Sequence, residues 1–207
     1  MIKEKTLEVN KLITHLYENK TGILKSYKDI DIPTHETNFS SGYGEIKFDA
    51  IFEIIKNINF EEDDVFLDLG CGIGRFCLEI FLTTKIKKVI GVELERNRFN
   101  IAQETKNKLQ KYLSKKNKST RELLFYNENI NNFDINQANV IYLCSLCFPQ
   151  KLIQIITNKL EEHPRLKAVI SFNKLNTPSL KLKNKITIPT TWSNNETIYF
   201  YSSSYFS

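Results

Sequence analysis

The stretch from Val65 to Ala102 constrains the fold more than any other part of the chain. It reads VFLDLGCGIGRFCLEIFLTTKIKKVIGVELERNRFNIA. An apolar run (Val65, Phe66, Leu67) ends in Asp68, and a loop with glycines at 70, 72 and 74 follows. A stretch of helical character, a second apolar run and Glu93 complete the unit. Strand, glycine turn, helix, strand and acid is the order of a βαβ nucleotide-binding unit. Glycines there let the backbone turn tightly and approach a ligand closely. Glu93 stands 19 residues after Gly74, at a strand end where a carboxylate can accept both hydroxyls of a ribose.

Loop spacing narrows the ligand. A dinucleotide site uses G-x-G-x-x-G, so that a pyrophosphate meets the helix N-terminus. Here Asp68 precedes glycines at alternate positions, Gly70-Cys71-Gly72-Ile73-Gly74. An acid two residues before the first glycine is awkward beside a pyrophosphate but suits an ammonium. S-adenosylmethionine (SAM) carries an α-amino group, a sulfonium and a ribose, and no phosphate. The pattern therefore predicts a SAM site; the bland alternative is a glycine turn in an unrelated α/β protein.

At 207 residues and 41% hydrophobic content, the chain can build one substantial core. We expect a single domain over 1–207, with an N-terminal helix and lid loop in 1–44 and the core in 45–207. The net charge of +5 does not by itself indicate nucleic acid. The most basic stretch, Lys106 to Arg121, reads as a solvated helix face and turn, with contact to nucleic acid or an acidic protein as a secondary reading. The charged start MIKEKTLE lacks the apolar region of a signal peptide, and no run nears the ~18 residues needed to span a bilayer. A cytoplasmic protein without membrane contact is expected; the sequence does not report oligomeric state. Four cysteines in a chain of this length read as small buried hydrophobes rather than a disulfide scaffold. Cys144-Ser-Leu-Cys147 lacks a second pair at zinc spacing, and His15, His35 and His163 are scattered. No metal site is expected.

Along the chain, Thr6–Lys25 has helical spacing and is expected to cover the mouth of the domain. Ser26–Gly44 reads as an ordered loop, and Glu45–Asn59 as an amphipathic helix. Strands are predicted at Asp64–Leu69, Lys88–Glu93, Glu122–Tyr126, Asn139–Cys144 and Leu166–Phe172, with helices at Glu95–Ser114 and Gln150–Leu160. Ile186–Pro189 and Thr197–Ser202 follow with no long helix between them and can pair antiparallel. This order predicts a three-layer α/β sandwich with a mostly parallel sheet.

Upstream of the glycine loop, Tyr43-Gly44-Glu45 precedes an amphipathic helix and then DDVFLDLGCGIGR. This resembles the DOT-type (disruptor of telomeric silencing) protein-lysine methyltransferases, whose acid at the end of strand two follows the motif aspartate by the 25 residues that separate Glu93 from Asp68. The likeness runs from about Phe39 to Tyr201. Downstream, VIYLCSLCF at 140–148 falls at the family's strand and active-site segment. Thr191-Trp192-Ser193 and Ile198-Tyr199-Phe200-Tyr201 resemble its closing tryptophan and aromatic strand.

The resemblance implies the Rossmann-like sandwich of the class I SAM-dependent methyltransferases, closed by an antiparallel strand. It implies that Tyr43, Gly44 and Glu45 cover the amino-acid end of SAM. Asp68, Gly70, Cys71, Gly72, Gly74 and Arg75 would cradle it, Glu93 would hold the ribose, and Asn129 and Ile130 would lie at the adenine. It further implies a protein substrate methylated on lysine, with Tyr43, Ser145, Phe148, Trp192 and Phe200 as candidates around the acceptor. The chain departs from the family pattern in having Asn129 where an acid is typical and Cys144-Ser145 in place of paired asparagines.

Methyl transfer from a sulfonium is an in-line displacement, for which an enzyme supplies mainly alignment and exclusion of water. A lysine acceptor must be neutral, and an apolar aromatic channel beside a sulfonium favours that form. No general base is demanded and none is assigned. A small-molecule acceptor remains an alternative, because such pockets leave little signature. A nucleic-acid acceptor is a weaker one, since C-S-L-C-F-P stands where N-P-P-Y or D-P-P-Y would hold a flipped base. A non-catalytic SAM-binding module is the last.

Overall fold

The computed structural model describes residues 2–24, 30–32, 42–114 and 120–203. Five parallel strands, β1 (Val65–Leu69), β2 (Lys88–Glu93), β3 (Glu122–Asn127), β4 (Val140–Leu143) and β5 (Ala168–Ser171), are followed by β6 (Leu180–Ile188) and β7 (Glu196–Ser203). The sheet order is β3-β2-β1-β4-β5-β7-β6, with β7 antiparallel to both β5 and β6. Helices α1 (Ile2–Leu16), α2 (Ile51–Asn57), α3 (Arg75–Thr83), α4 (Arg96–Ser114) and α5 (Gln150–Glu161) flank it.

The central strands are mostly apolar because both faces are covered, with Asp68 and Glu93 as exceptions near the ends of β1 and β2. Phe66, Val89, Val140 and Ile170 join Ile13, Ile51, Ile54, Leu78 and Ile80 in one apolar layer. The alternate residues Leu67, Leu69, Ile90, Val92, Ile141 and Leu143 pack with Leu152, Ile156 and Leu160 of α5 in the other. Each fully buried side chain of this kind contributes about 1.5–3 kcal/mol. The strand order reverses beside β1, so the cleft at the carboxyl ends of β1, β2 and β4 is where a ligand is expected in an open α/β sheet.

Most elements fall where the sequence places them, and three differences matter. α1 ends at Leu16 and lies against α3 and α4 rather than over the mouth; its buried face is Val9, Ile13 and Leu16. Glu45–Lys47 is extended, because Ile46 bridges to Thr190; a single 3-10 turn at Phe48–Ala50 then leads into the shorter α2. β6 begins at Leu180, well before Ile186. It is an edge strand whose side chains from Lys181 to Lys185 are exposed, so its lysines conceal it from a search for apolar runs. The expected loop at Ser26–Gly44 and the turn after α4 lie largely outside the described residues.

Candidate active site

The site begins with the left-handed turns of the glycine loop. Gly70, Gly72 and Gly74 all have positive φ, at 85°, 56° and 78°, a region that side chains disfavour. The loop is fastened to β2: Gly70 N–H and Cys71 N–H both donate to the Val92 carbonyl, at 2.9 and 3.0 Å. Glu93 completes the fastening. Its Oε2 accepts Gly72 N–H at 2.8 Å and its Oε1 accepts Glu95 N–H at 2.9 Å. Burial raises the Glu93 pKa against the lowering effect of these donors.

A cavity of about 360 Å³ opens beside this loop, walled by Asp68, Gly70, Cys71, Gly72, Arg75 and Glu93 at one end. Its walls also include Tyr43, Gly44, Glu45, Asn129, Ile130, Phe148 and Trp192. Residues far apart in sequence thus converge on one space. Asn129 arrives with its Oδ1 already accepting Asn131 N–H at 2.8 Å, so that oxygen is partly committed to its own turn. Phe148 sits over the loop, where a side chain on Gly70 would strike its ring.

Asp68 is the most telling group. It is buried; Oδ2 takes only a weak contact from the Cys77 thiol at 3.5 Å, and Oδ1 has no hydrogen-bond partner. Burial, with Glu93 adding repulsion, pushes its carboxyl up to about 8. A buried carboxylate oxygen left unmatched is costly, and here it belongs to a residue that walls a cavity. Glu79 repeats the pattern on α3. It too is buried and walls the cavity, its Oε2 is unmatched, and burial outweighs the pull of Arg75 to put it at about 8.

Arg75 lies between two acids. Its Nε donates to Glu79 Oε1 at 3.1 Å, and its NH1 lies 3.6 Å from Glu45 Oε2. The Tyr43 hydroxyl donates to Glu45 Oε1 at 2.5 Å. The Arg98 guanidinium lies 5.0 Å over the Tyr43 ring while its Nε donates to the Gly22 carbonyl. A side chain on Gly72 would strike Tyr43, so that ring lies across the loop. The expected lid over 39–45 is described only from Gly42 onward.

The Tyr-Gly-Glu segment is strapped to the segment holding the chain's sole tryptophan. Glu45 N–H donates to Thr191 Oγ1 at 3.0 Å, and Thr191 N–H donates to the Glu45 carbonyl at 2.9 Å. Trp192 is 40% exposed, with its ring 5.6 Å from Phe172 in an edge-on arrangement. Tyr142, Cys144 and Cys147 also line the cavity.

Three candidates from the sequence are placed elsewhere. Phe200 is 1% exposed, because on β7 it packs into the apolar layer that holds Phe66, Val140, Ile170 and Ile198. Ser145 is buried, with its hydroxyl 3.4 Å from that of Ser171 and its carbonyl accepting from Asn173. Gly74 lies off the cavity; a Cβ there would press on Phe125 and Ala102, so it serves helix packing. The cysteines also divide. Cys71 and Cys77 are buried as expected, but the 3-10 turn at Ser145–Cys147 carries Cys147 outward to an exposed position. Glu79, Arg98 and Tyr142 are wall residues that the sequence reading missed. Glu79 falls four residues after Arg75, a spacing that reads as a helix-surface ion pair, and Arg98 sits in a polar helix where arginine reads as solvated.

The fold is the Rossmann-like sandwich of the class I SAM-dependent methyltransferases. Magnesium protoporphyrin IX methyltransferase from Synechocystis, solved with S-adenosylhomocysteine, superposes with a TM-score of 0.54 at 13% identity, over 75% of this chain and 81% of that one. A dimethyladenosine transferase from Plasmodium falciparum gives 0.53 at 14%, over 78% of this chain and 63% of that one. Residues 26–203 match the family model of the histone methylation protein DOT1, and the chain belongs to that family. An H3 lysine-79-specific histone-lysine N-methyltransferase of Caenorhabditis elegans is 31% identical over 136 residues, 63% of this chain and 14% of that protein. Its Dictyostelium discoideum namesake is 26% identical, over 75% of this chain and 9% of that protein. The chain thus spans a small part of these relatives. Among the described residues no helix is long and apolar enough to cross a membrane.

Proposed function

We propose that residues 1–207 form one catalytic domain that uses SAM to methylate a lysine side chain of a protein substrate. The unmatched Asp68 Oδ1 in the cavity wall carries this reading. A buried carboxylate with a free oxygen at the glycine loop is a receptor for a cation, and the donor set around it suits the rest of SAM. Glu93 would accept the ribose hydroxyls, exchanging its present backbone donors for them. Arg75 offers a guanidinium to a carboxylate at the end covered by Tyr43 and Glu45. Asn129 and Ile130 would flank the base.

Bound SAM would supply an electrophilic methyl group on its sulfonium. The chain's own part is alignment and drying. Trp192, Phe148 and Tyr142 line an aromatic end of the cavity where an amine loses favour as an ammonium, because desolvation disfavours the charged form. Aromatic faces then stabilise the methylammonium as it forms. Membership of the DOT1 family and the names of the relatives support a protein acceptor. Histone H3 lysine is the first acceptor to try. Cytoplasmic location belongs to the same proposal, and imaging of a tagged protein tests it.

Incubating the protein with radiolabelled SAM and cell lysate, then resolving by size, tests the acceptor class. Label in protein bands is expected. Label confined to nucleic acid or to low-mass material overturns the lysine reading in favour of those acceptors.

A further inference from the structure

Trp192 is the chain's one tryptophan, and it lies in a turn with little apolar cover. Thr190 and Ser193 close that turn: Thr190 N–H donates to the Ser193 carbonyl at 2.7 Å, and Ser193 N–H donates to Thr190 Oγ1 at 3.0 Å. These bonds fix the backbone and leave the ring to be fixed by its neighbours. Gly44 lies against one part of the ring, where any side chain would collide with it. Phe172 meets it edge-on. Both contacts are apolar and permit the ring to slide. The third is directional: Trp192 Nε1–H donates to Glu196 Oε2 at 3.0 Å. Glu196 opens β7, the strand held between β5 and β6, so its carboxylate is anchored to the sheet rather than to the turn.

We infer that Glu196 is a positioning residue, which by accepting the indole N–H fixes the Trp192 ring across the acceptor end of the cavity. An ionised acceptor makes this bond shorter and stronger than a neutral one. A half-exposed tryptophan without it would populate several orientations, and the wall it forms would be intermittent. Glu196 is not itself a wall residue. Its consequence for turnover rests on the proposed role of Trp192; its effect on the ring does not.

Because Trp192 is the sole tryptophan, emission excited at wavelengths that the nine tyrosines do not absorb reports this ring alone. Glu196→Ala is expected to shift emission to the red and raise quenching by acrylamide, while SAM affinity by titration calorimetry stays unchanged. Label transfer from radiolabelled SAM to lysate protein should fall roughly three- to tenfold, the range for one hydrogen bond in a partly exposed setting. Glu196→Gln keeps an acceptor oxygen and should restore both emission and transfer towards wild type. Glu196→Asp withdraws the acceptor by one methylene, should repeat the alanine phenotype, and stands in should the alanine variant fail to fold. Wild-type emission and quenching in folded Glu196→Ala or Glu196→Asp overturns the inference, as does a glutamine variant no better than alanine. Altered emission with undiminished label transfer keeps Glu196 as the anchor of the ring and instead removes Trp192 from the acceptor wall.

Discussion

Asp68 and Glu79 are each buried with one oxygen unmatched, and each carboxyl is raised to about 8. A folded-state value above the unfolded one means that the fold binds the proton more tightly than the free chain does. Stability from this source is complete below the ordinary values of 3.8 and 4.5 and is lost as pH rises towards about 8. Thermal unfolding without ligand should therefore show falling stability across that window, at most about 1.4 kcal/mol per pH unit for each group. Asp68→Asn should flatten the slope. SAM affinity should move the other way, strengthening by up to roughly tenfold per pH unit towards 8, because a cation favours ionised Asp68. A flat calorimetric affinity over this range counts against Asp68 as its receptor. Glu93→Ala should weaken SAM binding about tenfold or more through lost charge-assisted bonds. Unchanged affinity in a folded variant would remove Glu93 from the ribose.

Among the elements, the strap between Glu45–Ile46 and Thr190–Thr191 does the most to shape the site. It places Gly44 directly under the Trp192 ring. Gly44→Ala should displace that ring, at about 1–3 kcal/mol of overpacking, with a lower melting temperature and shifted tryptophan emission. Unshifted emission would show that the backbone at 44 gives way and the ring stays in place. The βαβ unit at 65–93 was legible because its signals are local: an apolar run, three glycines, an acid at fixed spacing. Tyr43 and Trp192 were legible by resemblance alone, since nothing in either segment tells of a bridge 147 residues long, as between Lys47 and Asn194. Phe200 misled because the resemblance marks the closing strand as aromatic without telling which face each ring takes, and Phe200 lies in the apolar layer. β6 was half hidden for the opposite reason, its outer edge being filled with lysine.

At the scale of the molecule, the last strand is as necessary as the first. Ile198, Phe200 and Tyr201 are core residues on β7, and Leu175 N–H donates to the Tyr201 hydroxyl at 2.9 Å. A chain ended after Pro189 keeps every residue of the glycine loop. It should nonetheless fail to bind SAM, because β5 loses one of its two neighbours and both apolar layers are opened. Circular dichroism and SAM titration on that truncation check this; binding at wild-type affinity would show that the β1–β5 unit stands alone.

The strap has a further consequence in time. A ribosome delivers Glu45 early and Thr191 near the end of the described chain, and neither can hold the other until both are out. During synthesis the residues of the glycine loop are out long before Trp192 exists to close the far wall. Until β7 is out, a nascent chain holds neither a packed receptor for the donor nor the wall that Trp192 forms. The same last strand thus completes both ends of the cavity, and on the proposed function an unfinished chain on a polysome is inert.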